Sequence, residues 1–198
     1  GGLTGISVPI GQTTPAAATT KVTVAGNFNS EAPNFVAVDP NNPTAAELAD
    51  PVNAGSKVET TLGVFDSLGS KHNLTLVAWK TGPNTWECKI DPSSLNYDAT
   101  QPYTFGPGAQ SSPAAAATPW QFTFKSDGTI DSANSNLPSV TFTPAGGGAA
   151  VSLKLDPGTG STGVTSLAVG NSAVLRDQNG YASGVLQNVS IGQDGVVT

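Results

Sequence analysis

Asp66-Ser67-Leu68 and His72 come nearest to a catalytic constellation in this chain. A serine beside an acid, with an imidazole close by, could form a hydrolase that attacks an ester through an activated hydroxyl. The spacing does not support that chemistry. Phe65 stands where such a block would begin with glycine, and the one histidine of the chain lies in the next strand instead of in an Asp-x-x-His partner motif. A single imidazole also leaves no zinc site built on histidines. Asp66 and Gly69 fit the first and fourth positions of a type I turn, so turn chemistry explains the block better. His72 is then expected to be a solvated residue beside that turn.

The remaining candidates are weaker. Asp177-Gln178-Asn179-Gly180 is faintly like a calcium loop but carries too few acids at alternate positions. It reads as an Asx turn. Gly146-Gly147-Gly148 is followed by neither Lys-Ser/Thr nor a helix, so it is no phosphate cradle. Cys88 alternates with Trp86 and Ile90 on an inward strand face and is expected to be a buried thiol. Trp79, Trp86 and Trp120 could form a sugar-binding platform on a β-sandwich. Trp86 and Trp120 fit core positions, whereas Trp79 lies on the phase opposite Leu74, Leu76 and Ala78 and is expected to be exposed. The sequence therefore assigns no catalytic, cofactor-binding or metal-ligating residue and implies no cofactor.

The elements that would position these residues are strands. Val58, Thr60, Leu62 and Val64 alternate with Glu59, Thr61, Gly63 and Phe65. Leu74, Leu76 and Ala78 form a second alternating run, and Trp86, Cys88 and Ile90 a third. With turns at 66–69 and 81–84, the span 57–90 predicts a three-stranded antiparallel meander. Further strands are expected at 6–10, 21–25, 120–124, around Val140 and Phe142, at 151–155, and around Val185, Leu186, Val189 and Ile191. Ser126-Asp127-Gly128-Thr129 predicts a hairpin turn whose Asp-Gly pair supplies positive φ, and Asp194-Gly195 another. Two Pro-rich spans, 29–56 and 91–119, read as surface excursions. In the first, Thr44 and Glu47 fit a capping box. In the second, Tyr97, Tyr103 and Phe105 tack the chain onto the body. The Pro-Ala-Thr stretch 13–20 reads as a linker.

Bulk composition agrees with an all-β protein, an antiparallel β-barrel or sandwich. The 198 residues include 23 Gly and 15 Pro, enough punctuation for many short strands. Only 11% are charged and the net charge is -6, with no basic cluster, which argues against a nucleic-acid partner. No run of 18 apolar residues is present, so no helical membrane span is expected. The chain starts Gly1-Gly2-Leu3 without Met and stops at Thr198 in what looks like mid-strand, so it is expected to be a fragment of a longer protein.

Three blocks resemble the bacterial flagellar hook protein family. Val64-Phe65-Asp66-Ser67-Leu68-Gly69-Ser70-Lys71-His72 is similar to its V-Y-D-S-x-G-x-x-H hairpin, continued by Lys80-Thr81-Gly82-Pro83-Asn84-Thr85-Trp86. Asn179-Gly180-Tyr181-Ala182-Ser183-Gly184-Val185-Leu186, with Ile191-Gly192-Gln193-Asp194-Gly195-Val196-Val197, is similar to the N-G-Y-x-x-G-x-L … I-x-x-D-G-x-V block. Lys21-Val22-Thr23-Val24-Ala25-Gly26-Asn27-Phe28-Asn29-Ser30 is similar to the leading strand with its N-L-N-S ending, with Phe28 where Leu is common. The blocks keep the family's order and bracket nearly the whole chain.

The resemblance implies a central, outer β domain at 15–170 between two flanks, 1–14 and 171–198, of a second, inner β domain. It implies a mechanical role without catalysis. Subunits would stack into a curved extracellular tube that joins motor to filament and transmits torque. The implied partners are further copies of the full-length protein and the neighbouring rod, hook-cap and hook–filament junction proteins, with no membrane. The fragment alone is expected to be monomeric. The competing reading is a secreted carbohydrate-binding or adhesin-type β-sandwich module, which an exposed Trp79 would favour.

Overall fold

The computed structural model describes residues 13–39, 43–107, 111–112, 118–137 and 139–185. The strand expected at 6–10, the alanine run 114–117, and Leu186, Val189, Ile191 and the Asp194-Gly195 turn lie outside them.

Among the described residues the regular elements are mostly strands: β1 (Thr13–Thr14), β2 (Lys21–Ala25), β3 (Asn27–Asn29), β4 (Lys57–Phe65), β5 (Lys71–Gly82), β6 (Thr85–Asp91), β7 (Tyr103–Thr104), β8 (Ser111–Ser112), β9 (Trp120–Thr123), β10 (Val140–Phe142), β11 (Val151–Asp156), β12 (Thr165–Leu167), β13 (Val174–Gln178) and β14 (Gly184–Val185). The meander is present as expected. β4, β5, β6 and β9 form an antiparallel sheet in that order, with Lys57 opposite Trp79 and Phe65 opposite Lys71 at the two ends of the first hairpin. The second sheet runs β13-β2-β11-β10-β7-β8. Its β2–β11 pair is parallel, with Leu155 opposite Val22, and the long chain between the two strands supplies the crossover that a parallel pair needs. A parallel β3–β12 pair and an antiparallel β1–β14 pair complete the pattern.

Period-two alternation sets the packing. Leu74, Leu76 and Ala78 of β5, Trp86, Cys88 and Ile90 of β6, and Trp120 and Phe122 of β9 are all buried. They share one core with Val22 and Val24 of β2, Val140 and Phe142 of β10, and Val151, Leu153 and Leu155 of β11. The architecture is thus an all-β sandwich of two sheets with a common apolar interior. Among the described residues no sheet closes into a barrel.

Phe28 lies at the centre of this interior. Its ring stacks on Trp86 at 4.7 Å between centroids, with Phe122 at 5.2 Å and Phe124 at 5.9 Å. An aromatic here, where leucine is common in the resembling blocks, adds ring–ring contacts to the area it buries. The hairpin turn after Phe124 forms as expected, but only Gly128, at φ +79°, enters the left-handed region; Asp127 does not.

Neither Pro-rich span is a loose excursion. In the first, the capping box at Thr44 and Glu47 starts helix α1 (Ala45–Ala49), and a 3-10 turn, Pro51–Ser56, leads into β4. Phe35, Ala37 and Leu48 of this span pack on Val77 and Trp79, the face of the meander turned away from the main core. In the second, Tyr97, Tyr103 and Phe105 form a ring cluster that reaches Phe142, which is the anchoring expected.

Truncating Phe28→Ala should cost about 3–5 kcal/mol, the usual range for deleting a buried aromatic ring. Leu68→Ala, at a position 61% exposed, should stay within about 0.5 kcal/mol. Chemical denaturation of the two variants checks the contrast.

Candidate functional site

The block most like an active site is a structural lock. Asp66 Oδ1 accepts the N–H groups of Leu68 and Ser70, and Gly69 N–H reaches the Asp66 carbonyl. Its second oxygen, Oδ2, lies 2.9 Å from His72 Nε2. Both side chains are buried, and the imidazole packs edge-on to Phe142 at 5.7 Å. The expectation of a solvated His72 is therefore overturned. Register explains why: His72 shares the inward phase of β5 with Leu74 and Leu76, so the turn delivers it into the core edge and not to solvent. Burial works against charge on Asp66, but the hydrogen bonds from His72, Ser70 and Leu68 outweigh it and hold the carboxyl below its ordinary range. Ser67 is engaged elsewhere, its Oγ accepting from Ala149 N–H at 3.0 Å.

The outward face of the meander is covered as well. Trp79 is 1% exposed, which overturns the expectation that it faces solvent. Phe35 lies over it at 6.1 Å, and the Lys89 ammonium sits 6.0 Å from its ring. Two buried lysines fasten the covering span: Lys80 Nζ donates to the carbonyls of Ser30 and Ala32, and Lys89 Nζ to that of Pro43. Burial lowers the pKa of both. Asn53, itself buried, holds the span in shape by accepting from Val36 N–H and donating to the carbonyls of Val36 and Glu47. Glu87, directly across from Trp79, has its pKa raised to about 7 by burial, with the Asp39 charge adding to the effect and a hydrogen bond from Thr81 opposing it. A groove of about 370 Å³ remains beside α1, lined by Pro43, Leu48, Val77, Lys89 and Pro92 among others. The ammonium in it is already bonded to Pro43, so the groove presents a packing gap and not a set of convergent catalytic groups.

Trp86 and Trp120 are core residues, as expected, at 0% and 3% exposure. With Trp79 also buried, the three tryptophans offer no stacking platform for a sugar ring. Cys88 is buried, and burial together with the Glu87 charge pushes its thiol far above the ordinary range.

The arrangement that sequence reasoning missed is a neck. The stretch read as a linker is paired along its length with the returning chain. Thr13 faces Val185, Thr14 faces Gly184, and Ala17 exchanges both backbone hydrogen bonds with Tyr181. Thr19, 0% exposed, links three segments: its hydroxyl donates to Gln178 Oε1 and accepts from Phe65 N–H, while its own N–H donates to the Phe65 carbonyl. Asn179 Oδ1 accepts from the N–H groups of Thr20 and Lys21, and its Nδ2 donates to Thr20 Oγ1. The turn read at Gln178-Asn179-Gly180 is thus a clasp across about 160 residues of sequence. A second knot lies at Asn27, whose side chain bridges Leu167 and Val169. The only sequence signals were single polar residues beside short strands, which local periodicity cannot pair.

The geometry is that of a packed β body entered and left through one two-stranded neck. Residues 27–181 match the family described as the flagellar basal body protein FlaE D2 domain. The chain is also 28% identical, over 145 residues, to proteins named flagellar hook protein FlgE from two strains of Helicobacter pylori, 26695 and J99. Those alignments cover 70% of this chain and 18% of each relative, so the chain spans under a fifth of the length of the curated relatives it matches.

Opposite pH dependences should separate the lock from the cover. Asp66 has a lowered folded pKa, so its contribution is present above the unfolded value of about 4 and is lost as pH falls below it. Glu87 has a raised one, so its contribution is full below about pH 4 and is lost as pH rises through about 7. In denaturation midpoints measured across pH, Asp66→Asn should flatten the loss of stability below about pH 4, and Glu87→Gln the decline between about pH 4 and pH 7.

Proposed function

The chain belongs to the family of the flagellar basal body protein FlaE D2 domain, and from that premise we propose that it is the outer β region of a flagellar hook subunit. In this reading the full-length protein polymerises into a curved, hollow, extracellular tube that couples motor to filament and carries torque while it bends. Its neighbours are other copies of itself and, at the two ends of the tube, rod, hook-cap and hook–filament junction proteins. The role is structural and non-enzymatic, and the 198-residue chain alone is monomeric.

The observation that carries the reading is the family match across 27–181, which falls on a body tethered at one end. A domain inserted into another must send both its chain ends the same way, and the β1–β14 pair does that. We place the outer domain at 15–170, with 1–14 and 171–198 leading to an inner β domain. The return flank first adds β13 to the outer sheet beside β2, then leaves alongside β1. The surface suits repeated sliding contacts. With 11% charged residues, few contacts can depend on fixed ion pairs. The pairs Lys21–Asp156 and Lys57–Glu59 are partly exposed and add little to stability.

Antibodies raised against the 198-residue chain should label curved hooks in immunogold micrographs of cells that carry the full-length protein. Label confined to the rod, the filament or the cell body would contradict the proposal. Sedimentation of the isolated chain should show a monomer.

A further inference from the structure

Asn179-Gly180 is the one Asn-Gly pair in the sequence. Asn-Gly is the dipeptide in which the side-chain amide is most open to attack by the next backbone nitrogen, because glycine offers no side chain to block the approach. The Gly180 nitrogen gives up its proton and bonds to Asn179 Cγ, the Cγ–Nδ2 bond breaks, and ammonia leaves. Water then opens the resulting succinimide at either carbonyl, giving an aspartyl or an isoaspartyl residue at position 179. No reagent beyond water is needed.

In the neck both reacting groups are restrained. The Asn179 side chain is held on the incoming strand by three hydrogen bonds to Thr20 and Lys21, at 2.8–3.1 Å. The Gly180 N–H donates to Gln178 Oε1, and Gln178 Nε2 donates to the Gly180 carbonyl at 3.1 Å, so one side-chain amide brackets the glycine at both ends. Thr19, itself buried, donates to the same Oε1 and fixes it in place. The glycine has no ready substitute. A Cβ at position 180 would lie 2.4 Å from Thr19 Oγ1 and 2.8 Å from Thr19 N. The clasp needs the asparagine, the close approach needs the glycine, and together they place a labile pair where the two strands of the neck meet.

We propose that Asn179-Gly180 is a site of spontaneous succinimide modification, kept inert by the closed neck and released when the two strands part. Modification removes the clasp. The product carries a new negative charge, lacks the Nδ2 donor to Thr20 and, in the isoaspartyl form, has a longer backbone. A neck that has opened and reacted cannot close as before.

The test is to incubate the 198-residue chain at mildly alkaline pH, folded and in denaturing guanidinium chloride. Amide loss at position 179 is read by peptide mass spectrometry and isoaspartyl content by enzymatic methylation. The folded chain should react roughly tenfold or more slowly, since reaction must wait for local opening. Gln178→Ala, which frees the Gly180 N–H, and Thr20→Val, which removes the Nδ2 acceptor, should each raise the folded-state rate towards the denatured one. Each variant counts only where its circular dichroism matches the parent. Equal rates in the folded and denatured parent, or no acceleration in either folded variant, would overturn the proposal.

Discussion

The buried hydroxyl of Thr19 holds together the three segments on which the rest depends. It donates to the Gln178 amide and accepts from Phe65, while the Thr19 N–H returns a bond to the Phe65 carbonyl. One side chain thereby joins the incoming strand, the end of the first meander strand and the outgoing strand. A fully buried polar group left without partners costs on the order of 1–3 kcal/mol, so satisfying both roles of this hydroxyl constrains where all three strands lie. The incoming and outgoing strands therefore leave the described body side by side. Under the proposed insertion, tension through the flanks would meet the short-range pairing of the neck before the sandwich.

The meander illustrates a second constraint. A sheet buried on both faces reads as a continuous apolar run in many proteins. Here the outward face carries Glu87, Lys89 and Thr75 between Val77 and Trp79, and so requires a polar covering layer. The Pro-rich span supplies it, with backbone carbonyls for the lysines and Phe35 for the tryptophan. The two faces also respond to protons in opposite senses, the lock at Asp66 favouring the charged carboxylate and Glu87 the neutral acid.

Strand periodicity and turn chemistry made the meander, the capping box and the core phases of Trp86, Cys88 and Trp120 legible in advance. These are local properties, written within a few residues of one another. Trp79 and His72 differ from expectation for different reasons: Trp79 is covered by a span distant in sequence, whereas His72 continues the inward phase of Leu74 and Leu76, a local signal masked by its place beside a turn. The neck was illegible because Thr19, Gln178 and Asn179 acquire meaning only when the fold brings together residues 159 positions apart. The family blocks were a better guide to function than any single residue, since the fold positions no reacting group at Ser67 and leaves no tryptophan for a sugar.

The central claim is that the neck opens as a unit separate from the body. Single-molecule pulling with handles at Thr13 and Val185 tests it most directly. The account predicts two events: an early, low-force release of about 40 Å, the extended length of the dozen residues in 14–19 and 179–184, and then a larger, higher-force step as the sandwich unfolds. A single event in which neck and body yield together would contradict it.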